Sequence, residues 1–149
     1  MTVKSFFKLV EIQTKVASVV PFFVGSFYAL YNYNQFDFKN FIFMFISLLS
    51  FDMVATTINN YIDYKKANKI HGYNYEKHNA IVRDNINEST VITVIIALFS
   101  IASISGILLY LNTDIVVLVL GIMSFTVGIL YSFGPIPISR MPLGEIFSG

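Results

Sequence analysis

The side chains best suited to chemistry are concentrated in Asp52-Met-Val-Ala-Thr-Thr-Ile-Asn-Asn-Tyr-Ile-Asp63-Tyr-Lys-Lys66. Asp52, Thr56, Asn59 and Asp63 are spaced four, three and four apart, so a helix puts all of them on one face. Asn60 lies three before Asp63 and is also its neighbour. A carboxylate with amide companions at a helix end can hold a hard divalent cation, and Mg²⁺ takes one or two carboxylates plus phosphate oxygens. The segment that follows brings Lys65, Lys66, Lys69, His71, Glu76, Lys77, His78, Arg83 and Asp84. Its Lys and Arg suit a diphosphate. Each feature also has a plainer role. Asn59 and Asn60 can glue helices by hydrogen bonds, and Asp52 is balanced between such a bond and a cavity-facing position. The lysines read singly as a solvated loop, with Arg83 set apart by its closeness to the next apolar segment. His71 and His78 have no metal-ligand spacing and are expected in solvent.

The elements that must position these residues are apolar helices. Of the 149 residues, 55% are hydrophobic and only 13% charged, too little polar surface for a soluble domain of this size. Apolar segments run over about 16–31, 38–62, 90–111 and 115–133. Each is near the ~20 residues a helix needs to cross a bilayer, and each is too continuous for a barrel strand. The expected fold class is therefore all-α, a polytopic transmembrane helix bundle in a single domain. A polar stripe climbing one of these segments is costly against lipid and belongs against protein or a water-filled hollow.

Basic residues fix the expected orientation. Lys4, Lys8, Lys15, Lys65, Lys66, Lys69, Lys77, Arg83 and Arg140 fall on one side and Lys39 alone on the other. The N-terminus, the 64–89 connection and the 134–143 turn are thus expected to face the cytoplasm. Met141 to Gly149 reads as the start of a fifth span. The absence of cysteine removes any disulfide framework, a net charge of +1 gives no electrostatic case for nucleic acid, and the N-terminus lacks a signal-peptide pattern.

Asn59-Asn-Tyr-Ile-Asp63 resembles the first aspartate-rich motif of the UbiA superfamily of membrane prenyltransferases, Asn-Asp-x-x-Asp-x-x-x-Asp. Glu11-Ile-Gln-Thr-Lys-Val-Ala-Ser-Val-Val-Pro21, Asn79-Ala-Ile-Val-Arg83, and Tyr131-Ser-Phe-Gly-Pro-Ile-Pro137 with Leu143-Gly-Glu145 resemble the branch acting on 1,4-dihydroxy-2-naphthoate. The Leu-Gly-Glu turn and the Glu-x-x-Thr-Lys lead-in favour this branch over the haem and chlorophyll branches. A non-catalytic membrane protein, such as a transporter half, is the competing reading; transporter sites lie near the midplane, whereas this polar cluster peaks at the helix end.

The resemblance implies a larger bundle around a lipid-open cavity, with Mg²⁺ and the diphosphate of a polyprenyl donor held by two aspartate-rich loops. Asn59 and Asp63 match the motif, while Asn60 and Ala67 stand where it has Asp. It implies Asp63 and Asn59 as catalytic residues and Asp63 and Asn60 as metal ligands. Lys15, Asn60, Arg83, Tyr131 and Asp52 are the candidates for binding polyprenyl diphosphate or 1,4-dihydroxy-2-naphthoate. The second motif would lie beyond Gly149, so the chain is expected to be an N-terminal portion, inactive by itself.

Overall fold

The structure, a computed structural model, describes residues 1–70 and 79–132, with side chains described within 1–66 and 79–129. The described residues form helices and no strand. A short helix α1 (Val3–Leu9) starts where Thr2 accepts a hydrogen bond from the Ser5 amide at 3.1 Å. Glu11, with φ 49°, turns the chain into a single 3-10 turn, Ile12–Lys15. Helix α2 (Val16–Tyr33) follows and ends at Asn34, whose left-handed backbone lets its N–H reach the Leu30 carbonyl at 2.9 Å. Pro21 sits inside α2, where its ring removes the bond an N–H would make to Ala17.

Asp37 starts α3 (Phe38–Ile70), its Oδ1 accepting from the amides of Lys39 and Asn40 at 2.9 and 3.1 Å. At 33 residues, α3 is about 50 Å long, well beyond the ~30 Å of a hydrocarbon core. The apolar run that ends near Ile62 is therefore only the membrane-crossing part of a longer helix. A four-residue turn of helix, α4 (Ala80–Arg83), precedes α5 (Glu88–Leu111) and α6 (Ile115–Ser132). Among the described residues three stretches are long and apolar enough to cross a membrane, Ile12–Tyr33, Phe38–Lys66 and Glu88–Leu111; the apolar helix over Ile115–Ile129 is shorter. These agree closely with the segments read from hydropathy. The turn at 134–143, the start of a fifth span, His71, Glu76, Lys77 and His78 lie outside the described residues.

Helix α3 is the centre of the bundle and packs most extensively on α5. Small side chains make this possible: Ser47, Ser50, Ala102 and Ser105 are buried, and the Ser47 hydroxyl donates to the Ala102 carbonyl at 2.9 Å. A β-carbon at Gly106 would lie 3.4 Å from the Ser47 hydroxyl. Since lipid is as apolar as leucine, close backbone approach and interhelical hydrogen bonds hold such a pair together. Helix α6 packs through Phe125, stacked on Phe51 at 3.9 Å between centroids, and through Gly128, which leaves room for the Phe51 ring. Helix α2 meets α3 through Phe22 and Phe23 against Phe41 and Phe45.

The two ends differ. At one, Lys39 donates to Asn112 Oδ1 at 2.9 Å, joining the start of α3 to the end of α5. At the other, Leu9, Ile81, Ile86 and Val91 form a buried apolar cluster supported by Tyr61 and Tyr64. That cluster knits α1, α4, the end of α3 and the start of α5 into a cap at the basic end.

Candidate functional site

The polar face of α3 is divided into an inner and an outer station. The inner one is built on Asp52. Lys15, at the last position of the 3-10 turn, is 3% exposed, and its ammonium has three donors and meets three acceptors. These are Asp52 Oδ1 at 2.9 Å, the Asp52 carbonyl at 3.3 Å and the Thr56 hydroxyl. Ser18 donates to the other carboxylate oxygen, Oδ2, at 2.6 Å. Two of the five residues assigned by sequence to substrate binding, Lys15 and Asp52, are thus engaged with each other. Paired charges of opposite sign are the expected state of ionisable groups at membrane depth. The pairing fixes the entrance of α2 against α3. Ser18 was not singled out from sequence; one turn along α2 from Lys15 is the only signal it carried.

The outer station lies about 16 Å further along α3, eleven residues at 1.5 Å each. Asn59, Asn60 and Asp63 are all half-buried there. Asn60 donates through Nδ2 to the Leu9 carbonyl at 2.9 Å, tying α1 to α3, so only its Oδ1 is of the type that ligates a cation. Asn79 donates to the Asn60 carbonyl at 2.7 Å while its own Oδ1 accepts from the Ile81 amide at 2.9 Å. One side chain therefore caps α4 and docks it on α3, which explains why an Asn precedes Ala-Ile-Val-Arg83. Arg83, exposed at the end of α4, lies at the same pole and pairs through Nε with Asp84 Oδ1 at 3.2 Å. The Ser5 hydroxyl, then Arg83 and Lys8, hold the Asp84 carboxyl below the ordinary aspartate range. The side chain of Tyr131 lies outside the described residues.

Sequence reasoning also missed the contact that closes this pole on its far side. Tyr61 and Lys65 both reach Glu88 Oε1, and the Lys65 ammonium stands 5.6 Å from the centre of the Tyr61 ring. Position was the available signal: Tyr61 and Lys65 are one turn apart on the face opposite Asp63.

The donor set suits a hard cation, since a carboxylate and amide oxygens are the ligand types that Mg²⁺ accepts alongside phosphate. Among the described residues no group of three or more His, Cys, Asp or Glu converges on one point, so phosphate oxygens or further side chains must complete any such sphere.

Helices of membrane-crossing length that deliver an Asn/Asp cluster to a basic pole define a multi-pass membrane protein with one polar, basic end. The chain belongs to the UbiA prenyltransferase family, whose pattern matches residues 18–149. It is 29% identical over 142 residues to the 1,4-dihydroxy-2-naphthoate octaprenyltransferase of Bacillus subtilis (strain 168). That match covers 95% of this chain and 45% of the relative, so the chain spans less than half the relative's length. No solved structure matches the chain.

Proposed function

We propose that the chain supplies the first diphosphate-binding station of a polyprenyltransferase acting on 1,4-dihydroxy-2-naphthoate in a bacterial plasma membrane, with the basic end in the cytoplasm. The observation that carries the reading is the overhang of α3, which takes Asn59 and Asp63 to the pole where Lys65, Lys66 and Arg83 gather. The similarity to a naphthoate octaprenyltransferase supports the choice of acceptor.

In the reaction the bond between the allylic carbon and the diphosphate oxygen breaks, and its electron pair leaves with the diphosphate. The electron-rich naphthoate ring attacks the allylic carbon at the position bearing the carboxylate. Carbon dioxide then departs, and the pair from its C–C bond restores the aromatic ring. Mg²⁺, held by Asp63 and an amide oxygen of Asn59 or Asn60, would neutralise charge on the leaving diphosphate. Arg83 adds guanidinium donors suited to phosphate oxygens. Asn60, through Leu9, keeps α1 against this station, and Lys15 with Asp52 fixes the α2 entrance beneath it.

The test uses membranes carrying the product of the complete reading frame, supplied with a polyprenyl diphosphate, 1,4-dihydroxy-2-naphthoate and Mg²⁺. The expected product is the decarboxylated, prenylated naphthoquinol, reduced at least about 100-fold by Asp63→Asn, as when a charge-stabilising group is lost. Wild-type rates in an inserted Asp63→Asn protein would remove this residue from the mechanism.

A further inference from the structure

We propose that α1 is an interfacial anchor that seats its apolar side in the bilayer surface and binds anionic phospholipid headgroups through Lys4. Three observations carry this. The first is depth. The hydrogen bond from Asn60 to the Leu9 carbonyl holds the end of α1 level with Asn60, two residues or about 3 Å before the apolar run of α3 ends at Ile62. Helix α1 therefore stands at headgroup level.

The second is the distribution of its side chains. Ser5 and Leu9 face inward and are buried in the cap. On the opposite side Val3 and Phe7 are 72% and 44% exposed. Phe6, half-buried on the flank, places its ring 5.8 Å from that of Phe7. At 100° per residue Phe6, Val3 and Phe7 make one apolar arc, with Lys4 and Lys8 directly beside it. An apolar arc edged by lysines is the pattern of a helix lying in the interface plane.

The third is charge. Lys4 is exposed and pairs with no acid among the described residues, while Lys8 is half-buried and within reach of Asp84. Of the two α1 lysines, Lys4 is the one fully available to an anionic surface, where a basic residue biases binding about fivefold.

The chain contains no tryptophan, so Phe7→Trp introduces a single reporter. The variant is reconstituted in nanodiscs of zwitterionic lipid with increasing phosphatidylglycerol, with and without acyl-brominated lipid. Expected are blue-shifted emission, quenching by the brominated chains, and quenching that grows with the anionic fraction and weakens in high salt. Adding Lys4→Gln should lower the docked-to-undocked ratio about fivefold, and Lys8→Gln should lower it less. Val3→Trp, on the same arc, must report the same behaviour and guards against a local disturbance at Phe7. Water-like emission untouched by brominated lipid from both reporters overturns the proposal. Quenching indifferent to phosphatidylglycerol and to Lys4→Gln overturns the headgroup assignment. Neither readout depends on prenyl transfer.

Discussion

The ion pair between Lys15 and Asp52 offers the sharpest test of how the two ends of the polar face are held. Lys15→Met keeps the length of the stem and removes the charge, leaving Asp52 Oδ1 without its donor while Ser18 still serves Oδ2. Removing one member of a buried pair costs about 3–5 kcal/mol because the survivor stays uncompensated. The Asp52 side chain is 24% exposed, and water reaching it should bring the loss toward about 2 kcal/mol. Asp52→Leu should cost more, since the Lys15 side chain is only 4% exposed and keeps just one side-chain acceptor, Thr56. In the double variant no buried charge remains, so the loss should fall below that of either single change, a coupling of at least about 2 kcal/mol. The assay is reversible unfolding in mixed micelles for wild type, both single variants and the double. Additive losses would refute the reasoning, as would a Lys15→Met loss under about 0.5 kcal/mol, because each means that the pair is not buried together.

Three further outcomes follow from the geometry. Asn60→Ala removes the tether to Leu9 and should loosen α1 by about 1 kcal/mol, read as faster amide exchange over residues 3–10 with α5 unchanged. Gly128→Ala places a carbon 2.6 Å from the Phe51 ring; because that ring is stacked on Phe125, the clash should cost about 1–3 kcal/mol in thermal unfolding. Asp84 titrates below its ordinary value, so its contribution is fully present above about pH 4 and is lost as pH falls through the lower folded value. Proteolysis of the N-terminal segment should therefore separate Asp84→Asn from wild type at neutral pH, the two converging in acid.

The membrane-crossing helices were legible because the bilayer demands long apolar runs, and 38–62 or 90–111 admit little else. Their ends were less so. Hydropathy stops at Ile62, yet Asp63-Tyr-Lys-Lys66 contains nothing that breaks a helix, and α3 continues to Ile70. Helix α1 escaped notice because seven residues carry too little periodicity to rise above the charged lead-in. The polar stripe was placed on one face from spacing alone, and the structure keeps it there. Its division into two stations was not readable, since Lys15 and Asp52 are far apart in sequence and only packing brings them together. The opposite signs of two charges at membrane depth were the clue. The family resemblance picked out Asn79-Ala-Ile-Val-Arg83 as a motif, whereas its role in docking α4 on α3 emerged only from the hydrogen bonds of Asn79.

The length of α3 has a consequence for the membrane in which the protein works. A helix about 20 Å longer than the hydrocarbon layer behaves as a rigid post, and the height of its outer groups above the lipid is set by how thick that lipid is. Lys39, a charged and exposed side chain at the opposite end, keeps that end at the water surface, so each added 1.5 Å of acyl thickness draws one more residue of the post below the waterline. Bilayers of longer chains would submerge Asp63 first and Lys65 and Lys66 next, making lipid chain length a quiet control on whatever polar cargo that end receives.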